Sequence, residues 1–242
     1  LQADRSRFSA DGDEAFAPYS RTRQQAIFLH EERATGWGRF SFGVRTESVR
    51  VKSLRNEEVD RFAVGTREFS PTSVAVGAVW KLAPRWELAA NLAHSERAPR
   101  DYELFANGPH VATGAWEIGD AALGLERSNN VDLSLAWKQG ANHARIGAFV
   151  HRFSSYLALQ ATGADREVEP GEFLPEYAYR SVPARLAGLE AAGNWRLRAG
   201  KPMVLDLEWR ADRVRATDRL TGEPLPRIAP MRRWKSPQSR CC

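Results

Sequence analysis

Five side chains able to bind a metal lie close together in the sequence: His94, Glu103, His110, Glu117 and Asp120. Imidazole nitrogen and carboxylate oxygen together make an ordinary Zn²⁺ ligand set. His110 lies seven positions after Glu103, and Glu117 seven after His110. That spacing matches no compact zinc motif, so a loop would have to fold to bring the five together. The same carboxylates have a second use. Glu117, Asp120 and Glu126 can accept backbone N–H groups, or pair with Arg97, Arg100 and Arg127, and so order a loop. His110 follows Gly108-Pro109, a turn setting that suits a substrate or metal contact. His143 and His151 share a strand face with Arg145, which makes them polar lining.

Other chemistry is absent from the pattern. There is no G-x-S-x-G, no H-E-x-x-H and no glycine-rich phosphate loop, and no spacing of Ser, His and Asp picks out a triad. The expectation is a protein that is not an enzyme and carries no resident cofactor. The two cysteines, Cys241 and Cys242, are adjacent, so they can neither staple a core nor build a four-ligand zinc site. Net charge is +5, but 35 basic and 30 acidic residues are mixed along the 242 positions, so no basic block points to nucleic acid. No apolar run reaches the ~18 residues of a membrane-spanning helix. Leu1-Gln2-Ala3-Asp4 shows neither the basic nor the apolar part of an export signal, which for an exported protein would lie outside these residues.

The elements that must position these side chains are strands. Val131, Leu133, Leu135 and Trp137 alternate with Asp132, Ser134, Ala136 and Lys138; Met203, Leu205, Leu207 and Trp209 alternate with Asp206, Glu208 and Arg210. The same period of two runs through Val74–Leu82, Trp86–Leu92 and Phe40–Val44. Each segment therefore has one apolar and one polar face. The polar faces (Arg39, Arg45, Asp132, Lys138, Arg145, Asp206, Glu208, Arg210, Asp212) are expected to line a hydrated lumen. Short turn-like stretches at 35–36, 83–85, 140–142 and 200–202 alternate with long polar ones, roughly 53–70, 98–127, 163–180 and 215–226. An up-and-down barrel with tight turns on one rim and loops on the other produces this rhythm. Trp37, Trp80, Trp86, Trp137 and Trp195 flank the short turns, where an aromatic girdle would meet lipid headgroups. A soluble β-sandwich would give its tryptophans no reason to gather there.

The pattern predicts strands over 23–34, 37–52, 72–82, 86–97, 128–139, 142–153, 155–162, 182–198 and 203–214, with a further start at 225–232. In 37–52 the apolar residues pass from even positions (Phe40, Phe42, Val44) to odd ones (Val49, Val51), which predicts a bulge near Thr46–Ser48. A short helical turn is expected near Arg100–Asn107. The fold class is thus an all-β, antiparallel, up-and-down transmembrane barrel, partial at about ten strands, with long extracellular loops and short periplasmic turns.

Several motifs resemble those of TonB-dependent outer-membrane receptors, most of all their zinc-uptake branch. Ser95-Glu96-Arg97-Ala98-Pro99 is followed by Glu103-Leu104-Phe105-Ala106-Asn107-Gly108-Pro109-His110-Val111-Ala112-Thr113-Gly114. Then come Trp116-Glu117-Ile118-Gly119-Asp120 and Leu125-Glu126-Arg127-Ser128-Asn129-Asn130. Phe149–Leu157, Gly188-Leu189-Glu190 and Leu225-Pro226-Arg227-Ile228-Ala229-Pro230 look like other barrel segments of these receptors, so the likeness spans roughly 8–232.

The resemblance implies energised uptake of a metal ion or metal chelate across the bacterial outer membrane, zinc first, with haem or a siderophore as the alternative cargo. It implies a monomeric parent barrel of 22 strands in outer-membrane lipid, coupled to the TonB complex through a plug domain. Neither the plug nor the remaining strands are recognisable here, so residues 1–232 are expected to form under half a barrel. An open sheet would leave unpaired backbone groups in lipid, so this stretch alone should not insert. Residues 233–242, which lack alternation, read as an aberrant or divergent tail, as after a frameshift or early stop. The reading from another class is a structural or porin-like barrel without energy coupling.

Overall fold

The computed structural model describes residues 1–200 and 203–226, and the backbone of 232–235. In chain order the strands are β1 (Gln2–Phe8), β2 (Ser20–Thr35), β3 (Gly38–Ser53), β4 (Gly65–Phe69), β5 (Thr72–Ala83) and β6 (Trp86–Arg97). A long loop follows, holding helix α1 (Asp101–Phe105), β7 (Asn107–His110), a 3₁₀ turn (Val111–Thr113) and β8 (Ala115–Ile118). Then come β9 (Glu126–Gln139), β10 (Asn142–Glu169), β11 (Glu172–Arg198), β12 (Leu205–Asp218) and β13 (Arg232–Lys235).

Ten strands pair in the order β1-β2-β3-β5-β6-β9-β10-β11-β12-β13, each antiparallel to the next, as an up-and-down meander. β4 pairs with β3, and β7 with β8. The one parallel pairing among the described residues sets β8 against β11. No pairing closes the sheet into a complete barrel among these residues. The predicted start at 225–232 falls largely outside the described residues, as does most of the 233–242 tail.

Register carries one apolar face across the sheet. Phe42, Val76, Leu92, Val131, Val150 and Ala187 stand directly opposite one another in turn over six strands. Ile27, Phe40, Phe42, Val44, Val74, Val76, Leu92, Val131, Leu133, Ile146 and Leu189 remain exposed on that face. A water-facing sheet would not leave them so, but a lipid-facing one must. The short turns lie together at one rim, and the tryptophans there form three pairs: Trp37 with Trp80, Trp86 with Trp137, and Trp195 with Trp209, at 5.8, 6.5 and 5.9 Å. Gly193 makes the last pair possible, because a Cβ there would lie 2.7 Å from the Trp209 ring.

The opposite face is polar and curls inward. Residues from β2 to β12, among them Glu32, Arg39, Asn91, Asp132, Arg145 and Arg210, line one cavity of about 730 Å³. Glu32 meets Arg39, Asp132 meets His151, and Arg196 meets Asp206, so the lining charges pair with one another as the alternation implies.

Three sequence expectations are corrected. β3 has no bulge. Its ladder with β2 runs unbroken from Ser20↔Ser53 to Thr35↔Gly38, and its pairings with β5 and β4 keep one register. The apolar residues change side instead. Phe40, Phe42 and Val44 face lipid, whereas Val49 and Val51 are buried on the inner face against Phe69, Leu104, Phe105, Leu123 and Leu157. Above the lipid the outer face meets water, as the exposed Arg50–Glu68 ion pair shows, and the inner face meets the folded loop. The stretch 163–180, expected as a loop, is the upper part of the β10–β11 hairpin, and the two strands predicted over 142–162 are one. A register shift after Phe153 explains the apparent break.

Candidate functional site at the mouth of the barrel

The loop between β6 and β9 folds back over the inner face at the rim away from the tryptophans. Its two ends are tied by one cation. Arg97, the last residue of β6, donates to both carboxylate oxygens of Glu103 (2.8 and 3.2 Å) and both of Glu126 (3.1 and 3.0 Å), the first residue of β9. Glu103 is buried and also accepts the Arg100 N–H at 2.7 Å, which starts α1. Glu126 also accepts the Leu157 N–H at 3.0 Å. Paired forks of this kind fix geometry as well as energy.

Within that frame, α1 is held by the segment that follows it. The Gly119 N–H donates to the Ala106 carbonyl at 2.7 Å, and the Asp120 N–H to that of Glu103 at 2.9 Å. A Cβ on Gly119 would sit 2.6 Å from the α1 backbone, so only glycine allows this approach. Gly108 comes as close to the loop before β2, where a Cβ would lie 2.4 Å from the Ala15 carbonyl. Arg61 joins three loops: it donates to the carbonyls of Asp13 and Asn107 and lies over the rings of Phe62 and Trp116.

His110 and Glu117 lie diagonally across the β7–β8 ladder, where Glu117 is opposite Gly108 and His110 opposite Ala115. His110 Nδ1 is 3.0 Å from Glu117 Oε1, and its ring stacks on Phe16 at 4.3 Å. Glu117 is 1% exposed and accepts hydrogen bonds from the hydroxyls of Thr113 (3.0 Å) and Tyr179 (3.1 Å). Burial, then the Glu117 charge, push the Tyr179 phenol well above its usual range. On the same hairpin the hydrogen bond from Arg166 holds the Glu176 carboxyl below its ordinary value.

Of the five residues singled out from the sequence, the structure brings together His110 and Glu117. Glu103 is engaged by Arg97, and Asp120 accepts the Ala122 N–H at 2.8 Å within its own turn. His94 stands on the outer face beside Asn129, at 2.9 Å, because it lies in register with lipid-facing Val74. Among the described residues no three His, Cys, Asp or Glu side chains gather as a metal site. Sequence reasoning missed Phe16, Arg61 and Tyr179. They come from distant segments, and the signals available were the Gly-Pro-His turn and the alternation of Tyr177 and Tyr179.

A model of the TonB-dependent receptor-like β-barrel matches residues 2–233. Among solved structures, the copper transporter OprC superposes with a TM-score of 0.67 at 20% identity, covering 87% of this chain and 31% of that one. The FrpB iron transporter from Neisseria meningitidis gives 0.53 at 14% identity, covering 83% and 26%. The chain therefore spans about a third or less of these two transporters. The family consists of bacterial outer-membrane receptors and not of enzymes, which agrees with the lipid-facing belt, the tryptophan rim and the folded mouth loop. This chain belongs to the TonB-dependent receptor β-barrel family.

Proposed function

We propose that this barrel segment serves TonB-dependent uptake of a metal ion or metal chelate across the outer membrane, with zinc as the first cargo. The observation that carries the reading is the His110–Glu117 pair. A histidine that binds a metal through one ring nitrogen usually gives the other to a carboxylate, which fixes the ring and raises its basicity. Glu117 holds Nδ1 at 3.0 Å, and Nε2 is left for cargo on a ring that is only part-buried. Phe16 stacks on the ring and sets its plane. Below lies the charge-lined cavity through which cargo would pass once a plug moved. The motif resemblance and the N/O donor set favour zinc; a haem, whose iron has an axial position for an imidazole, or a ferric siderophore is the second reading.

The test is accumulation of radioactive zinc in zinc-limited cells. Deleting the gene, deleting tonB, or substituting His110→Ala should each lower uptake, the last without changing the amount of folded protein. Uptake that survives loss of tonB would leave the porin-like reading in place. Uptake of ferric siderophore or haem, and not of zinc, would move the cargo to the second reading.

A further inference from the structure

We infer that the outer face of β10–β12 carries a binding site for the phosphate groups of the outer-leaflet glycolipid, built from Arg152, Arg185 and Arg215, with Arg213 just below them. All four side chains are exposed, and register places them on the same face as the lipid belt. Arg152 opposes Arg185 directly, one strand from Asn129 and one from Thr217. Arg215 stands opposite Ala187 and so lies diagonal to Arg185, and Arg213 lies opposite Leu189. Directly opposed side chains sit about 5 Å apart at Cβ and diagonal ones about 7–8 Å, so three guanidinium groups can close on one anion.

Two facts point to an anion from outside the chain. Like charges set directly opposite each other are unfavourable unless something neutralises them. Yet none of the four makes a hydrogen bond or ion pair with a described residue, while nearby Arg127 is matched by Glu96 at 2.7 Å. No acidic residue occupies an outward position next to Arg152, Arg185 or Arg215; their neighbours are Val150, Ala187, Asn129 and Thr217.

Height supplies the identity of the anion. Arg152 is the eleventh residue of β10, Arg215 the eleventh of β12, and Arg185 the fourteenth back from the short-turn end of β11. A tilted strand crosses the hydrocarbon in about 9–11 residues, so the row sits at the far headgroup level. Below it the same face is Val150, Ala148, Ile146, Ala187 and Leu189, which suits acyl chains. Arginine forks match phosphate oxygens bidentately, and basic residues beside an apolar belt recognise anionic headgroups. The inference is independent of the cargo.

The experiment uses the receptor extracted from outer membranes in detergent and binding read by native mass spectrometry. The probes are bis-phosphorylated lipid A, enzymatically dephosphorylated lipid A, and inorganic phosphate. The wild type should bind the phosphorylated lipid at least about tenfold more tightly than the dephosphorylated one. The R152Q/R185Q/R215Q variant should lose that preference, and the corresponding triple Lys variant should keep most of it. Inorganic phosphate at millimolar concentration should not displace the lipid. Equal binding of the two lipids by the wild type, an unchanged preference in the Gln variant, or full displacement by inorganic phosphate would overturn the proposal. If the Gln variant fails to fold, the wild-type comparison of the two lipids decides alone.

Discussion

Replacing Arg97 by Gln should unfold the mouth loop while leaving the barrel strands intact. Arg97 bridges Glu103 and Glu126, whose side chains are 8% and 15% exposed. Without the guanidinium, two carboxylates face each other with little solvent. Removing one partner of a buried ion pair costs about 3–5 kcal/mol, because the remaining charge keeps its desolvation penalty. Arg97 itself is 37% exposed, so solvent screens part of this and about 2–3 kcal/mol remains. Local opening should then become about 30- to 150-fold more frequent at 1.36 kcal/mol per decade. Hydrogen exchange followed by mass spectrometry can read it, comparing peptides from 98–126 with peptides from β5 and β9. The double variant R97Q/E126Q should open less than R97Q, since it removes one of the stranded charges. Loop protection within twofold of the wild type, or an equal loss in the strands, would refute the reasoning.

Gly119→Ala should cost about 1–3 kcal/mol and expose the loop to protease, because its Cβ meets the α1 backbone; Gly124→Ala, with open space around it, is the control. The raised Tyr179 phenol means that its hydrogen bond to Glu117 stabilises the loop fully below the ordinary tyrosine pKa of 10.0 and less as pH rises through the folded value. Tyr19 and Tyr156 are also raised, so phenolate absorbance during alkaline titration should show several late-ionising tyrosines, of which Tyr179→Phe should remove the last. Val44→Arg places a charge in the lipid belt and should lower the folded fraction by about 2–4 kcal/mol in a detergent refolding assay. Arg50→Val, on the same face but above the belt, should leave folding unchanged.

The barrel was legible because its physics is local. Lipid on one side and water on the other force every spanning residue to declare a face, so Val131 to Trp137 read as a strand without any knowledge of their partners. The tryptophans beside the short turns were legible for the same reason. The β10–β11 extension was not. Above the membrane neither face is apolar throughout, and what holds residues 163–180 in strand is cross-strand chemistry, such as Arg166 with Glu176, and the added edge of β8. The missing bulge in β3 has the same origin. A change of apolar parity can mean an extra residue or a change of environment, and only knowing that Leu104 and Leu157 cover Val49 and Val51 separates the two.

The loop chemistry was legible in its residue types and not in their partners. The sequence presents Glu103, Glu117 and Asp120 as one class of possible ligand, because a carboxylate looks alike wherever it stands. The fold assigns each a different task through its neighbours. Arg97 claims Glu103, the Ala122 N–H claims Asp120, and Glu117 is buried beneath His110, Thr113 and Tyr179. A buried carboxylate that orients an imidazole is a poor direct ligand for passing cargo, since it would have to leave three donors to reach it. The imidazole it orients pays no such penalty at Nε2. Under the uptake reading proposed above, the cargo contact narrows from five residues to His110, with Glu117 setting its direction and the Arg97 bridge holding the loop on which both stand.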